Sequence, residues 1–206
     1  GLKAFVWRRS LSLNVDCLFR SLKDIGVKTI IFRDLPDASL SDEYRDKVFD
    51  GINVRYVNKW FATHEDYLES ILTCDVYVAP RLYEGIGLSF LEAMGLGLCV
   101  MAPDQPTMNE YIIDGYNGVL FKSFKSLGKK KLNILAIKKQ AKESYQQYLN
   151  RWNQSIPQIY SFLYSIDSNR AHKFNSPYWY LWRDIDIFFR IRVIPYIKRK
   201  LRKSDY

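Results

Sequence analysis

Histidine and cysteine are scarce. The 206 residues hold two histidines, His64 and His172, and three cysteines, Cys17, Cys74 and Cys99. None of the five has the spacing of a metal site, so neither a resident metal nor another cofactor is expected. The cysteines sit in apolar runs and read as buried, reduced thiols of a cytosolic chain. His64 falls in the first turn of an expected helix and reads as a surface or capping residue. Long apolar runs are missing too. No stretch of about 18 uncharged apolar residues occurs, which excludes a spanning helix of ordinary length. Arg8 and Arg9 cut the first apolar run short, so a secretory leader does not open the chain. A start on Gly1 without methionine reads as the cut edge of a longer protein or a cloning remnant. No RNA- or DNA-binding signature is present, which makes nucleic acid the least favoured partner.

What is there is unevenly charged. The net charge is +9. Residues 1–122 carry 13 Lys+Arg against 17 Asp+Glu, a balance of −4, whereas residues 123–206 carry 18 against 5, a balance of +13. Such a split suggests a polyanionic surface as partner of the C-terminal part. The chain is read as one domain over 1–167 with a basic, aromatic tail over 168–206.

Apolar periodicity alternates between strand and helix. Strands are expected at Lys3–Trp7, Val27–Phe32, Asn53–Val57, Asp75–Ala79, Leu98–Ala102 and Val119–Phe121. Helices are expected at Val15–Ile25, Ser41–Phe49, Thr63–Leu72, Leu88–Met94 and Thr107–Ile113. Gly26 closes the first helix, and Thr63 with Asp66 opens the third. From Leu127 to Phe162 the pattern predicts one or two helices, broken at Pro157. The fold class is therefore α/β: a doubly wound, Rossmann-like parallel sheet of order 3-2-1-4-5-6, with C-terminal helices. Ligands of such sheets sit beyond the C-terminal strand ends.

The most informative segment is Arg81 to Phe121, RLYEGIGLSFLEAMGLGLCVMAPDQPTMNEYIIDGYNGVLF. Glu84 and Glu92 bracket a Gly-x-Gly turn that opens directly into a helix, a cradle for phosphate with carboxylates able to hold hydroxyls. The pair, the strand-proline before it, the helix-glycine-strand after it and Glu110 with the Asp114-Gly115 and Asn117-Gly118 turns form one pattern. That pattern resembles the double-glutamate signature of retaining GT-B glycosyltransferases. The large group 1, family 4-like set with sucrose synthase and bacterial lipopolysaccharide and capsule transferases fits it best. The resemblance covers roughly residues 3–121 and is specific over 67–121.

The resemblance implies the C-terminal, nucleotide-sugar-binding half of such an enzyme. Glu84 would be the catalytic-site carboxylate that meets the donor sugar. Glu92 would accept hydrogen bonds from ribose hydroxyls. Gly85, Ile86, Gly87, Leu88 and Ser89 would approach the pyrophosphate or sugar. Arg8 or Arg9 would stand for the arginine that clamps the diphosphate; the bland alternative is a solvated strand end. The loop after Val57, with Lys59 and Trp60, is a candidate for base recognition. The reaction implied is retaining hexose transfer from a nucleoside diphosphate sugar to a glycan or lipid-linked acceptor, the leaving phosphate helping to take the acceptor proton. The alternative is a non-catalytic nucleotide- or partner-binding half-domain.

Three departures from the family pattern stand out. Trp7 replaces the usual glycine before the arginine, and no lysine occurs between Lys3 and Lys23. Gln105-Pro106 stands where a glycine pair is usual, and Pro106 has no N–H to give. The acceptor-binding half, or a partner subunit in its place, is not in this sequence.

In the tail, Tyr178, Trp182, Ile185 and Phe189 share one helical face, with Lys198, Arg199, Lys200, Arg202 and Lys203 beyond. Over 178–203 this suits an anionic membrane surface. A terminal helix packed on the sheet or on the missing half explains it equally well. The expected place is the cytoplasm, with peripheral attachment at the inner membrane face.

Overall fold

The computed structural model describes residues 1–10, 13–35, 44–45, 47–82 and 85–164. The chain forms two compact units, Gly1–Asn150 and Arg151–Tyr206. The first holds a six-stranded sheet: β1 (Leu2–Arg8), β2 (Val27–Asp34), β3 (Asn53–Val57), β4 (Val76–Val78), β5 (Cys99–Pro103) and β6 (Val119–Phe121). All pairings are parallel, in the order β3-β2-β1-β4-β5-β6. The expected α/β class and strand order are both observed. Parallel strands need crossovers, supplied here by α1 (Val15–Asp24), α2 (His64–Leu72), α3 (Leu88–Gly95) and α4 (Met108–Tyr111), before α5 (Phe124–Gly128) and α6 (Ile134–Tyr164).

Alternation along each strand sorts the core into two layers. Ala4 and Val6 of β1 join Leu18, Phe19 and Leu22 of α1 on one face of the sheet. Phe5 joins Tyr67 and Ile71 of α2 and Phe90 and Met94 of α3 on the other. Stacked rings tighten the second layer, with Phe5 and Tyr77 5.6 Å apart at 15°.

Local chemistry sets the ends of these elements. Asn14 caps α1 by accepting the Cys17 N–H at 2.9 Å, and Gly26 follows its end at φ 96°. Thr63 and Asp66 form a reciprocal capping box at the start of α2. Asn117 is fully buried; it accepts from Ile113 N–H and gives its amide to Tyr111 O and Tyr148 Oη, which ties the Asn-Gly turn to α6. At the strand entrances Asp75 accepts from Lys3 N–H and Lys138 Nζ. Burial alone would raise its pKa, but those two donors hold it below the ordinary carboxylate value.

Three expectations are corrected. Among the described residues of Ser41–Phe49 there is no helix: Tyr44 and Arg45 form a turn and Lys47–Phe49 are irregular. Tyr44 packs edge-on against Phe32, and Phe49 lies 4.6 Å from Phe19, so two rings bind a loop where short-range periodicity suggested a helix. Pro157 does not break α6, which runs through it. The missing hydrogen bond is one among many in a 31-residue helix, and residues beside Pro157 are largely exposed. Cys17 is half-buried rather than core, while Cys74 and Cys99 are buried and Cys99 is pushed up to about 12 by burial.

The described part of the second unit continues α6 to Tyr164 and exposes Trp152, Ile159, Tyr160 and Phe162. The boundary expected at 167 and the tail at 168–206 lie outside the described residues. No helix of the described residues is long and apolar enough to cross a membrane.

Candidate functional site

The C-terminal ends of β1 and β2 open on a cavity of about 600 Å³. That volume falls in the range of small-molecule and cofactor sites. Trp7 and Arg9 enter from the end of β1 and Arg33 from the end of β2. Trp60 to His64, the loop after β3 and first turn of α2, forms one wall. Ile86 to Ser89 and Glu92 of α3 form the other.

The α3 wall is built around one backbone feature. Gly87 precedes α3 at φ 72°, ψ 37°, the left-handed region, and no side chain caps the helix. The first amides of α3 are therefore left for whatever occupies the cavity, at the end of the helix that favours negative charge. Ile86 and Leu88 are largely exposed and Ser89 is half-buried. Gly85 differs from Gly87: a Cβ there would meet nothing within 4 Å. In this structure close backbone approach needs only the second glycine. Glu84 lies outside the described residues.

Glu92 is where the spacing put it, on α3 and facing the cavity. Its Oε1 is 3.2 Å from His64 Nε2. His64 is thus a wall of the site as well as the first residue of α2, which sequence reasoning missed. Tyr67, one turn on, is buried; its hydroxyl lies 3.4 Å from that of Tyr77, and burial raises the pKa of both phenols.

The two arginines that the sequence left as alternatives are separated by strand alternation. Arg9 lines the cavity, its guanidinium 4.9 Å from the Trp7 ring. Arg8 does not, and its expected role at the donor is corrected. It is 1% exposed, Nη1 meets Asp34 Oδ1 at 3.1 Å and Oδ2 at 3.3 Å, and its guanidinium sits over the Tyr44 ring. An arginine on that face of β1 points into the layer with Val6, where only a paired cation is tolerated.

Arg33 was not singled out from sequence. It lies beside Trp7 in the β1–β2 register and is 2% exposed. Its guanidinium packs on Trp7, Trp60 and Phe61 at 4.2, 4.9 and 4.6 Å. The signal was a charge closing an otherwise apolar strand, Ile-Ile-Phe-Arg-Asp; reading that strand as buried on both faces obscured it. Trp60 of the proposed base loop reaches the cavity, while Lys59 is exposed and is not among the lining residues.

Beyond β5, Gln105-Pro106 leads to Thr107, the one non-glycine residue with positive φ among the described residues, at φ 74°, ψ −55°. A β-branched residue there is strained by about 1–3 kcal/mol. Its N–H still donates to Glu110 Oε1 at 3.2 Å, a bond glycine would keep. Thr107→Gly is expected to stabilise the unit by about 1 kcal/mol, after the entropic cost of glycine. That should raise the thermal midpoint by about 2–4 °C. A lowered midpoint would show that the threonine hydroxyl outweighs the strain.

Comparison with known proteins bears on the fold. Residues 51–151 match the model of the family described as Glycosyl transferases group 1. Sucrose synthase 6 of Arabidopsis thaliana is 40% identical over 67 residues, which is 29% of this chain and 7% of that protein. Among solved structures, the C-terminal domain of a glycosyl transferase group 1 family protein (LpcC) from Francisella tularensis superposes with a TM-score of 0.55 at 20% identity. It covers 71% of this chain and 85% of that one. Anabaena Alr3699/HepE, solved with UDP and glucose, gives 0.57 at 18% identity over 78% of this chain and 48% of that chain. At these identities the structural likeness is one of fold.

Proposed function

We propose that this chain, whose residues 51–151 match the glycosyl transferases group 1 model and which has the fold of a GT-B C-terminal half, binds a nucleoside diphosphate sugar in its strand-end cavity for retaining transfer of the hexose to a glycan or lipid-linked acceptor. The observation that carries this reading is the shared wall of α3. Its uncapped N-terminus and the carboxylate of Glu92, one turn along, face the same cavity. Free amides favour an anion, and a carboxylate favours neighbouring hydroxyls. A ribose diphosphate carries both an anion and hydroxyls. Arg9 adds a cation from β1. The rings of Trp60 and Phe61 offer an apolar face for a base. The neighbour solved with UDP and glucose supports the ligand class.

In this reading Glu92 accepts from the ribose hydroxyls and the amides at Gly87–Ser89 hold the phosphates. Glu84 is proposed to meet the sugar, and the departing phosphate to receive the acceptor proton, so that no metal or protein base is required from this half. One observation favours a second reading, a half-domain that binds nucleotide without transfer. The internal pairing of Arg8 leaves Arg9 as the strand-end cation of β1, and a leaving diphosphate needs its developing charge met.

Titration calorimetry of the chain with UDP, GDP and ADP tests binding. Glu92→Ala is expected to weaken the preferred nucleotide by about 10- to 100-fold, the range of a charge-assisted hydrogen bond or two. The melting point should change little, since Glu92 is not a core residue. Failure of every nucleotide to bind at millimolar concentration, or an unchanged affinity in Glu92→Ala, would remove the proposal.

A further inference from the structure

The cavity holds a cation that no carboxylate among the described residues neutralises. Arg33 has its guanidinium enclosed by the faces of Trp7, Trp60 and Phe61. Its Nε is buried without a hydrogen-bond partner, and so is Nε1 of Trp7 beside it. Among the described residues no carboxylate pairs with Arg33, although the side chain is 2% exposed. Ring faces attract the charge but cannot accept the in-plane N–H groups, which radiate in the plane of the guanidinium. A buried donor without an acceptor is costly, and a buried cation more so. Burial pulls the Arg33 pKa below its ordinary value; the Tyr67 and Tyr77 phenols offset part of that, and the positive charge of Arg9 adds to it. Two guanidinium groups thus face one cavity, opposite a helix end whose amides are uncapped. Everything missing from this arrangement is supplied by one multivalent anion.

We infer that Arg33 is the second diphosphate-binding cation of the site, acting with Arg9 and the amides that open α3. The inference rests on the nucleotide reading above. It resolves the absent lysine: the enzymes this chain resembles place that cation after β1, whereas here it comes from the end of β2. The Trp7↔Arg33 register sets it next to Arg9's strand. The substitution of tryptophan for glycine at position 7 becomes part of the same device, because the Trp7 ring is the closest of the three that hold the guanidinium at its 4.2 Å separation. A lysine could not replace Arg33 fully. Its ammonium lacks the flat, forked donor set that stacks between rings while bonding two oxygens.

The experiment is calorimetric titration of the full chain, and of Arg33→Gln, Arg33→Lys and Glu92→Ala, with UDP, GDP, uridine, guanosine and inorganic pyrophosphate. Arg33→Gln should weaken the preferred nucleoside diphosphate and pyrophosphate by about 10- to 100-fold, while its nucleoside stays within about twofold. Arg33→Lys should recover part of that loss. The ratio of diphosphate to nucleoside affinity within one variant is insensitive to a shift in stability. A ratio unchanged in Arg33→Gln overturns the inference, because Arg33 would then serve the base or merely brace the rings. Nucleotide binding that depends on Glu92 but not on Arg33 overturns the inference and keeps the nucleotide reading. Pyrophosphate binding that depends on Arg33, without any gain from a nucleoside, upholds Arg33 as an anion-binding cation and overturns the nucleotide reading. No binding of any probe overturns both.

Discussion

Asp34→Ala should destabilise the first unit by about 3–5 kcal/mol, the range measured when one partner of a buried ion pair is removed. Asp34 is fully buried and receives Arg8 Nη1 on both oxygens; Tyr56 Oη lies 3.1 Å from Oδ2. Arg8 is 1% exposed, and its Nε already has no acceptor. Taking the carboxylate away leaves a guanidinium over the Tyr44 ring with no countercharge from Asp34 in a layer that water does not reach. The loss should appear as a fall of roughly 10 °C in the thermal midpoint for a unit of this size. Replacing both partners with apolar residues, Arg8→Met with Asp34→Leu, should recover most of the loss. A midpoint within about 2 °C of the parent in Asp34→Ala alone would mean that Arg8 escapes to solvent and that its placement here is wrong.

Gly87→Ala should cost about 2–5 kcal/mol and weaken nucleotide binding as well. Two effects add. Alanine at φ 72° pays the left-handed penalty of about 1–2 kcal/mol. Its Cβ would fall 2.0 Å from Phe90 Cε1, and Phe90 is 1% exposed and packed edge-on against Tyr111. A ring so placed cannot swing aside, and overpacking of this kind costs about 1–3 kcal/mol. The backbone would shift instead, moving the amides of α3 that face the cavity. Gly85→Ala is the internal control, since a Cβ there meets nothing and no positive φ is involved. Melting curves and nucleotide titrations of both variants decide the matter. Equal losses in the two would show that the left-handed turn and the Phe90 contact are not what Gly87 is for.

The sheet was legible because parallel strands buried on both faces have a distinctive composition. Val27–Phe32 shows it, and the short spacing of helices between strands leaves little choice of topology. The capping box at Thr63 was legible for the same kind of reason: Thr63 and Asp66 act within one turn. Where the reading stopped short, the deciding contact was distant in sequence. Tyr44 and Phe49 are held in a loop by Phe32 and Phe19, partners that periodicity within 41–49 cannot reveal. Arg8 and Arg9 looked equivalent until the pairing of β1 with β2 put Arg8 against Asp34 and left Arg9, just past the strand, on the cavity. Arg33 required three aromatic residues from two other segments before its place in the cavity could be read. Glu92 was found because its neighbours in the pattern are local; His64, whose Nε2 lies 3.2 Å from it, comes from 28 residues earlier and was not.

That last contact makes filling the cavity an exchange rather than an addition. Glu92 Oε1 lies 3.2 Å from His64 Nε2, so a ribose hydroxyl arriving at that oxygen competes with an imidazole. The bond gained is offset only in part by the contact given up, so Glu92 contributes less than an unengaged carboxylate would while its loss is still felt. The imidazole behaves as a built-in competitor of fixed effective concentration. Shortening His64 to alanine should then tighten nucleotide binding rather than loosen it, the reverse of what a residue lining a binding site usually does when it is cut back.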